Sequence, residues 1–564
     1  MFQLFLLLAI SALVAAQAPV VDIGYAKVKG VQNTTSGLNM YHGIYYAQNP
    51  TGELRWRKPR PIEAIMTDPN ITIDATNIGP SCWNGVPDWS SHGNSSLIIP
   101  AGANGSSENC LLLDVFTPIN PVSAHLPVLV EIHGGGYTQG SAQSPRPDSM
   151  MWRANGTFVW VSLQYRLGMF GFMAGRDMYD NGDLNAGLLD QRAALEWVQR
   201  HIWAFGGDPA KVTITGGSAG GGTIPHLKEE KLIFPGSVSL QMMANGGADF
   251  PPFRAVLSEY PWWQSFQNIS SAEHQYRNVL SLAGCPDINC LRTLPESQLA
   301  QLQQKVQNTE YMQPSYADGD YYFGPVVDGK FIRELPNEAY KNGRHYKVPF
   351  LVDHNEWEGV SFSQLINSSA QILPDAETFF PGRGPTFFTK LFQLYPPQNY
   401  NSSFWQRVAW FSDVVVTCNT PPLHPSAHVC LGPTYFMAKA QTDHSYNSSA
   451  VWKMRFDAGS EIHGATSAFL YSQNLNLPLA NNQTLAEIMT WYWISFVIYN
   501  DPNPLRAANA PYWPSYGGAN VSDGNVEFNT LAVTYTTIGV EPDQQNSPSC
   551  DFFDAEGYLS FGMY

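Results

Sequence analysis

Charge is scarce in this sequence, and basic charge scarcest. Only 14% of the 564 residues are charged, 31 Lys and Arg against 47 Asp and Glu, which leaves a net charge of −16. Phosphate backbones repel a chain of that sign, so nucleic acid is not an expected partner. No Cys-x-x-Cys pair and no Cys/His cluster occurs, so no metal and no cofactor are expected. The chain has no low-complexity tract, no charge run and no repeat of fixed period, which argues against disorder and against a solenoid. After the first residues no run is long and apolar enough to span a membrane. The tail Ser560-Phe-Gly-Met-Tyr564 is neither a retention nor a lipid-anchor signal.

What is present is apolar material and signs of export. Hydrophobic residues make up 44% of the chain, enough for a large core. Phe5 to Leu13 is an apolar run of signal-peptide length, followed by the small residues Val14-Ala15-Ala16. Residues 1–16 are therefore expected to be a signal peptide, with a secreted mature chain starting near Gln17. Eleven Asn-x-Ser/Thr sites, from Asn33 to Asn520, fit a glycosylated extracellular protein. The seven cysteines include the close pairs Cys82 with Cys110 and Cys285 with Cys290, whose spacing suits local loops in an oxidising compartment.

Strands and helices alternate in the first half. Leu126 to His133 and Thr157 to Gln164 read as buried strands, Leu189 to Phe205 has helical spacing, and Lys211 to Thr215 is again a strand. This order predicts a large, mostly parallel sheet with helices on both faces, the α/β class. Residues 270 to 345 turn helical and polar, an excursion over the sheet. No composition break divides residues 17–564, which are read as one catalytic domain.

Glycine-rich segments follow two of those strands, where active sites of such sheets lie. Gly216-Gly217-Ser218-Ala219-Gly220 fits G-x-S-x-G. A nucleophilic serine on a tight turn needs small neighbours. His133-Gly134-Gly135-Gly136 would supply backbone N–H groups to an oxyanion, with Gly135, Gly136 and Ala219 the chosen donors.

Longer stretches carry a family resemblance. FGGDPAKVTITGGSAGG, from Phe205, resembles the nucleophile signature of type-B carboxylesterases, the cholinesterase-like esterase/lipase family, secreted fungal carboxylesterases among them. ENCLLLDVFTP, from Glu108, resembles that family's second signature, with Asn109 where the family has Asp. YHGIYYAQNPTGELRWRKP, QYRLGMFGF and NAGLLDQRAALEWV resemble further family blocks. The resemblance implies an α/β-hydrolase fold and a Ser-His-Glu triad working through an acyl-enzyme. Its members would be Ser218, Glu358 in Asp353-His-Asn-Glu-Trp-Glu358-Gly359, and His463 in Ile462-His463-Gly464. Glu356 is the rival acid and His133 the rival base. The order Ser, Glu, His along the chain is the α/β-hydrolase order. The same resemblance implies disulfides Cys82–Cys110 and Cys285–Cys290, a bond from Cys550 to Cys418 or Cys430, and buried ion pairs Arg55–Glu108 and Arg166–Asp190. The expected substrate is a small-molecule or lipid ester.

Departures qualify the resemblance. Gly217 stands where many relatives carry Glu. Trp83 and Trp89 both fall early in the first disulfide loop, which leaves a choline cage poorly supported. Trp262 and Trp263 are candidates for the acyl pocket. Thr223 to Gly236 interrupts an otherwise unbroken GGSAGGGSVSLQMM, and is read as a retained intron whose presence would split the helix behind Ser218. The competing function is a non-catalytic adhesion or binding protein on the same scaffold, against which Ser218, Glu358 and His463 all remain.

Overall fold

A computed structural model describes residues 18–66, 68–87, 89, 105–221, 233–234, 237–248, 250–262, 264–265, 269–311, 319–334, 339–340, 342–363, 368–380, 382–416, 433–444, 450–471, 482–520, 526–543 and 552. The signal-peptide segment, Trp263, Cys418, Cys430, Cys550 and most of the Thr223–Gly236 insertion lie outside the described residues.

Twelve strands of the described residues form one mixed sheet. They are β1 (Val31–Asn33), β2 (Leu38–Tyr45), β3 (Leu112–Pro118), β4 (Leu126–Ile132), β5 (Val159–Leu163) and β6 (Gly207–Ser218). Then follow β7 (Ala255–Pro261), β8 (Phe350–Asn355), β9 (Val451–Asp457), β10 (Gly517–Asn520), β11 (Val526–Thr534) and β12 (Ile538–Pro542). The order across the sheet is β10-β11-β9-β8-β7-β6-β4-β5-β3-β2-β1, with β12 also paired to β11. Every pair from β11 to β5 is parallel, and the pairs outside them are antiparallel. The fold is that of the α/β-hydrolases.

The strand sequences explain the layering. All seven residues of β4 are buried, as expected of a parallel strand covered on both faces. Val128, Val130 and Ile132 point into one apolar core, which α1 (Ala186–His201) closes with Leu188, Leu195 and Val198. Leu129 points into a second core on the other face. The late helix Gln483–Tyr499 closes that core with Leu485, Met489, Trp493 and Phe496. Helices thus pack on both faces. The excursion after residue 268 holds the helices Ile269–Ala283, Ile288–Thr293 and Glu296–Tyr311.

Two disulfides close as the resemblance implies, Cys82–Cys110 and Cys285–Cys290. Both ion pairs form inside the core. Arg55 Nε lies 2.8 Å from Glu108 Oε1, and Arg166 Nε lies 2.7 Å from Asp190 Oδ2.

The helix behind Ser218 departs from expectation. Its regular part, α2, is Ser237–Met243. The amides of Ser237 and Val238 donate to the carbonyls of Ala219 and Gly220, each at 2.8 Å, and that of Ser239 to Gly221 at 3.4 Å. With the inserted segment left out of the count, each of these bonds runs from a residue to the one four before it, the α-helical spacing. The insertion therefore does not break the hydrogen-bond register from the elbow to α2. Within it, Ile233–Phe234 pairs antiparallel with Gln264–Ser265.

Candidate active site

β6 runs on beyond the expected Thr215 and ends at Ser218, whose φ is +59°. A non-glycine residue held in that left-handed region stores strain and is worth a functional explanation. The loop after β4 lies directly on this turn. A Cβ on Gly134 would sit 2.4 Å from Gly217 O and 3.0 Å from Ser218 Cβ, so only glycine permits the approach. Gly135 and Gly136 follow with φ of +105° and +63°. The backbone N–H groups of Gly135, Gly136 and Ala219 donate no hydrogen bond within the described residues.

Gly217 has its own cause. A Cβ there would fall 2.0 Å from the hydroxyl of Tyr260. Tyr260, with φ of +28°, occupies the space that a larger residue before the serine would need. Its hydroxyl pairs with Ser467 Oγ at 2.6 Å, and its amide donates to Asp353 Oδ1 at 3.2 Å.

The candidate acid and base meet beyond β8. Glu358 is fully buried, and its Oε1 accepts from Asn355 N at 2.6 Å and Asn355 Nδ2 at 3.0 Å. Its Oε2 makes a short hydrogen bond with His463 Nδ1. His463 Nε2 is buried and has no hydrogen-bond partner among the described residues. The rival Glu356 instead faces Arg455 at 3.5 Å. The rival His133 stacks on Tyr165 at 4.5 Å and bonds its own loop through Nδ1 and Gly134 O at 2.9 Å. Burial lowers its pKa to about 4, so it stays neutral.

Ser218 and His463 are brought to one place through shared neighbours, without a direct hydrogen bond between them. Ser218 pairs with Pro261 in the sheet, and its carbonyl accepts from Trp262 N at 3.1 Å. The Tyr260 ring stands edge-on to His463 at 5.2 Å, and Phe362 does so at 4.8 Å. Trp262 packs on Phe362 at 5.8 Å and on Tyr321 at 4.8 Å, and Trp89 touches both of those rings. The result is an aromatic wall beside the histidine.

Trp262, a candidate for the acyl pocket on sequence grounds, is part of that wall. Trp89, noted in the sequence only as too early in the first disulfide loop for a choline cage, joins it, as do Tyr321, Phe362 and Tyr260, which no sequence pattern singled out. Asn355 was legible, since it sits in the block that carries Glu358.

The Carboxylesterase family model matches residues 17–545. The chain belongs to the carboxylesterase family. It is similar to Carboxylesterase patB of Penicillium expansum, at 26% identity over 97% of this chain and 98% of that protein. It is 33% identical to para-nitrobenzyl esterase of Bacillus subtilis, over 95% of this chain and 99% of the other. Among solved structures, Aspergillus niger EstA superposes with a TM-score of 0.76 at 25% identity, covering 96% of this chain and 99% of that one. The family and these relatives identify the chain as a carboxylic ester hydrolase.

No group of three His, Cys, Asp or Glu side chains converges as a metal site among the described residues. No helix among them is long and apolar enough to cross a membrane.

Proposed function

We propose that residues 17–564 form one secreted catalytic unit that cleaves carboxylic esters through Ser218, His463 and Glu358. His463 Nε2 takes the proton of Ser218 Oγ as the oxygen attacks the ester carbonyl. Glu358 fixes the tautomer that carries a proton on Nδ1 and stabilises the imidazolium as it forms. The N–H groups of Gly135, Gly136 and Ala219 receive the oxyanion. Alcohol leaves, and water attacks the acyl-enzyme by the same route.

One observation carries the reading: the buried Glu358–His463 pair leaves one imidazole nitrogen without a partner among the described residues, and Tyr260 packs both on His463 and on the turn that holds Ser218 at φ of +59°. An imidazole whose second nitrogen is left open is positioned to serve as a general base. Contacts of this kind commonly tighten only when substrate binds. The free amides of the glycine loop support the same assignment. Secretion is supported by the apolar N-terminus, the eleven glycosylation sequons and the two disulfides.

The test is hydrolysis of a chain-length series of p-nitrophenyl esters by secreted protein, wild type beside Ser218→Ala. Loss on the order of 10³-fold or more in kcat is expected. A folded wild type inactive on every ester would move the protein to the non-catalytic binding reading.

A further inference from the structure

Beside the elbow lies a cavity of about 540 Å³ whose lining includes Ser218 and the oxyanion-loop residues Gly134 and Gly135, and which extends past them to two glutamates that the reaction above does not use. Gly216, Gly217 and Ser218 line it together with Glu131, Glu259 and Tyr471, and in the sheet Glu259 pairs with Gly217 and Glu131 with Thr215. Among the described residues, His463 and Glu358 do not line it, nor does any Lys or Arg.

The two glutamates differ. Glu259 Oε1 accepts from Tyr471 Oη at 2.5 Å, Trp493 Nε1 at 2.9 Å and Thr215 Oγ1 at 3.3 Å. Burial raises its pKa, and these three donors act against that rise. Glu131, the penultimate residue of β4, is only 2% exposed. It lies beside Thr215 and Ser162 in the sheet, on the face that carries Leu129. Its Oε2 has no hydrogen-bond partner among the described residues. Burial, and then the charge of Glu259, push its carboxyl well above the usual range. A buried carboxyl without a donor is destabilising unless something fills the need.

We propose that this cavity is a subsite for a primary alkylammonium group, with Glu131 as its counter-ion, carried by the ester that Ser218 cleaves. An ammonium brings three N–H donors and a positive charge to a wall that holds two carboxyl groups and no cation. One wall of the cavity is the nucleophile itself, so the ammonium lies a few bonds from the scissile carbonyl. A neutral alcohol would offer the Glu131 carboxyl only a weaker hydrogen bond and would bring no charge to either carboxyl group. The proposal rests on the ester-hydrolase reading for the ligand's being part of a substrate; ammonium binding itself does not.

The experiment is inhibition of p-nitrophenyl acetate hydrolysis by n-butylammonium chloride beside 1-pentanol, at fixed pH and ionic strength. The expected result is an inhibition constant at least about tenfold lower for the ammonium in the wild type. That ratio falls toward one in Glu131→Gln. Because the ratio is taken within each variant, a general change in turnover cancels. Equal inhibition by the two ligands in the wild type, or an unchanged ratio in Glu131→Gln, overturns the proposal. The wild-type comparison decides the matter even if Glu131→Gln fails to fold. The same ligands are added to Ser218→Ala in a thermal melt. A larger rise with the ammonium sustains the subsite if the wild type proves to lack esterase activity, and an equal rise overturns it.

Discussion

Glu358, three residues past the end of β8, and Glu131, one residue before the end of β4, are buried in the same sheet region, yet their surroundings are opposite. Glu358 has two donors from Asn355 and a third from His463. Glu131 Oε2 has none among the described residues. A buried carboxylate whose acceptor sites are filled can act on its partners, in the proposed mechanism by orienting an imidazole. A buried carboxyl left without a donor is a demand on whatever enters the cavity. Asp190 is a third case. Both its oxygens take N–H groups of the Arg166 guanidinium, at 2.7 Å each, a pair that serves the core rather than the reaction.

Removing the charge of Glu358 has the largest expected effect. Glu358→Gln keeps the volume and loses the anion that stabilises the imidazolium, so kcat falls on the order of 10³- to 10⁴-fold with KM little changed. Glu356→Gln, two residues away and turned to Arg455, is expected to lose less than about tenfold. Steady-state kinetics on p-nitrophenyl acetate compare the two. Equal losses would mean that the acid has been assigned to the wrong glutamate.

Much of this contrast was legible in the sequence, and the reason differs by residue. Apolar strands ending in glycine runs announce the sheet and its carboxyl edge, because a parallel strand must be apolar on both faces. The elbow shows as small residues around Ser218. The aromatic wall does not show, since Trp89, Trp262, Tyr321 and Phe362 meet only through the fold. Glu131 is visible as one acidic letter in an apolar strand. Its open oxygen is not, because that depends on Glu259 taking the donors Tyr471 and Trp493 across the sheet. Gly217 reads as a lost carboxylate until Tyr260 is seen filling its place.

Breaking the Arg166–Asp190 pair should cost stability rather than chemistry. Asp190→Asn leaves a buried guanidinium half compensated, a loss of about 3–5 kcal/mol. Denaturant unfolding would register it, while kcat per folded molecule stays near the wild-type value. A fall in kcat as large as that of Glu358→Gln would erase the distinction between structural and catalytic carboxylates.

A smaller effect is tied to pH. Burial holds His133 at a pKa of about 4, against 6.5 when unfolded. Between those values the unfolded chain binds a proton that the folded chain refuses. Stability is therefore present above pH 6.5 and is lost as pH falls toward 4, by at most about 3 kcal/mol from this residue. His133→Gln should flatten that part of the acid limb in thermal melts from about pH 7 to about pH 4. An unchanged limb would assign the slope to other groups, such as the buried His345 and His354, whose pKa values burial also lowers.

The smallest effect is expected from the largest change, deletion of Thr223 to Gly236. The bonds from Ser237, Val238 and Ser239 back to Ala219, Gly220 and Gly221 already have the spacing of a continuous helix once those residues are left out. Joining Gly222 to Ser237 asks the backbone for no new register and removes the entropy of closing the inserted loop, a gain of about 1–3 kcal/mol. The shortened protein should melt at or above the wild-type temperature and turn over p-nitrophenyl acetate within a few-fold of it. A transcript that lacks the inserted codons would give the retained-intron reading its independent support. A deletion that melts lower and loses activity would show instead that the segment is part of the working fold, with the Ile233–Phe234 pairing to Gln264–Ser265 as its anchor.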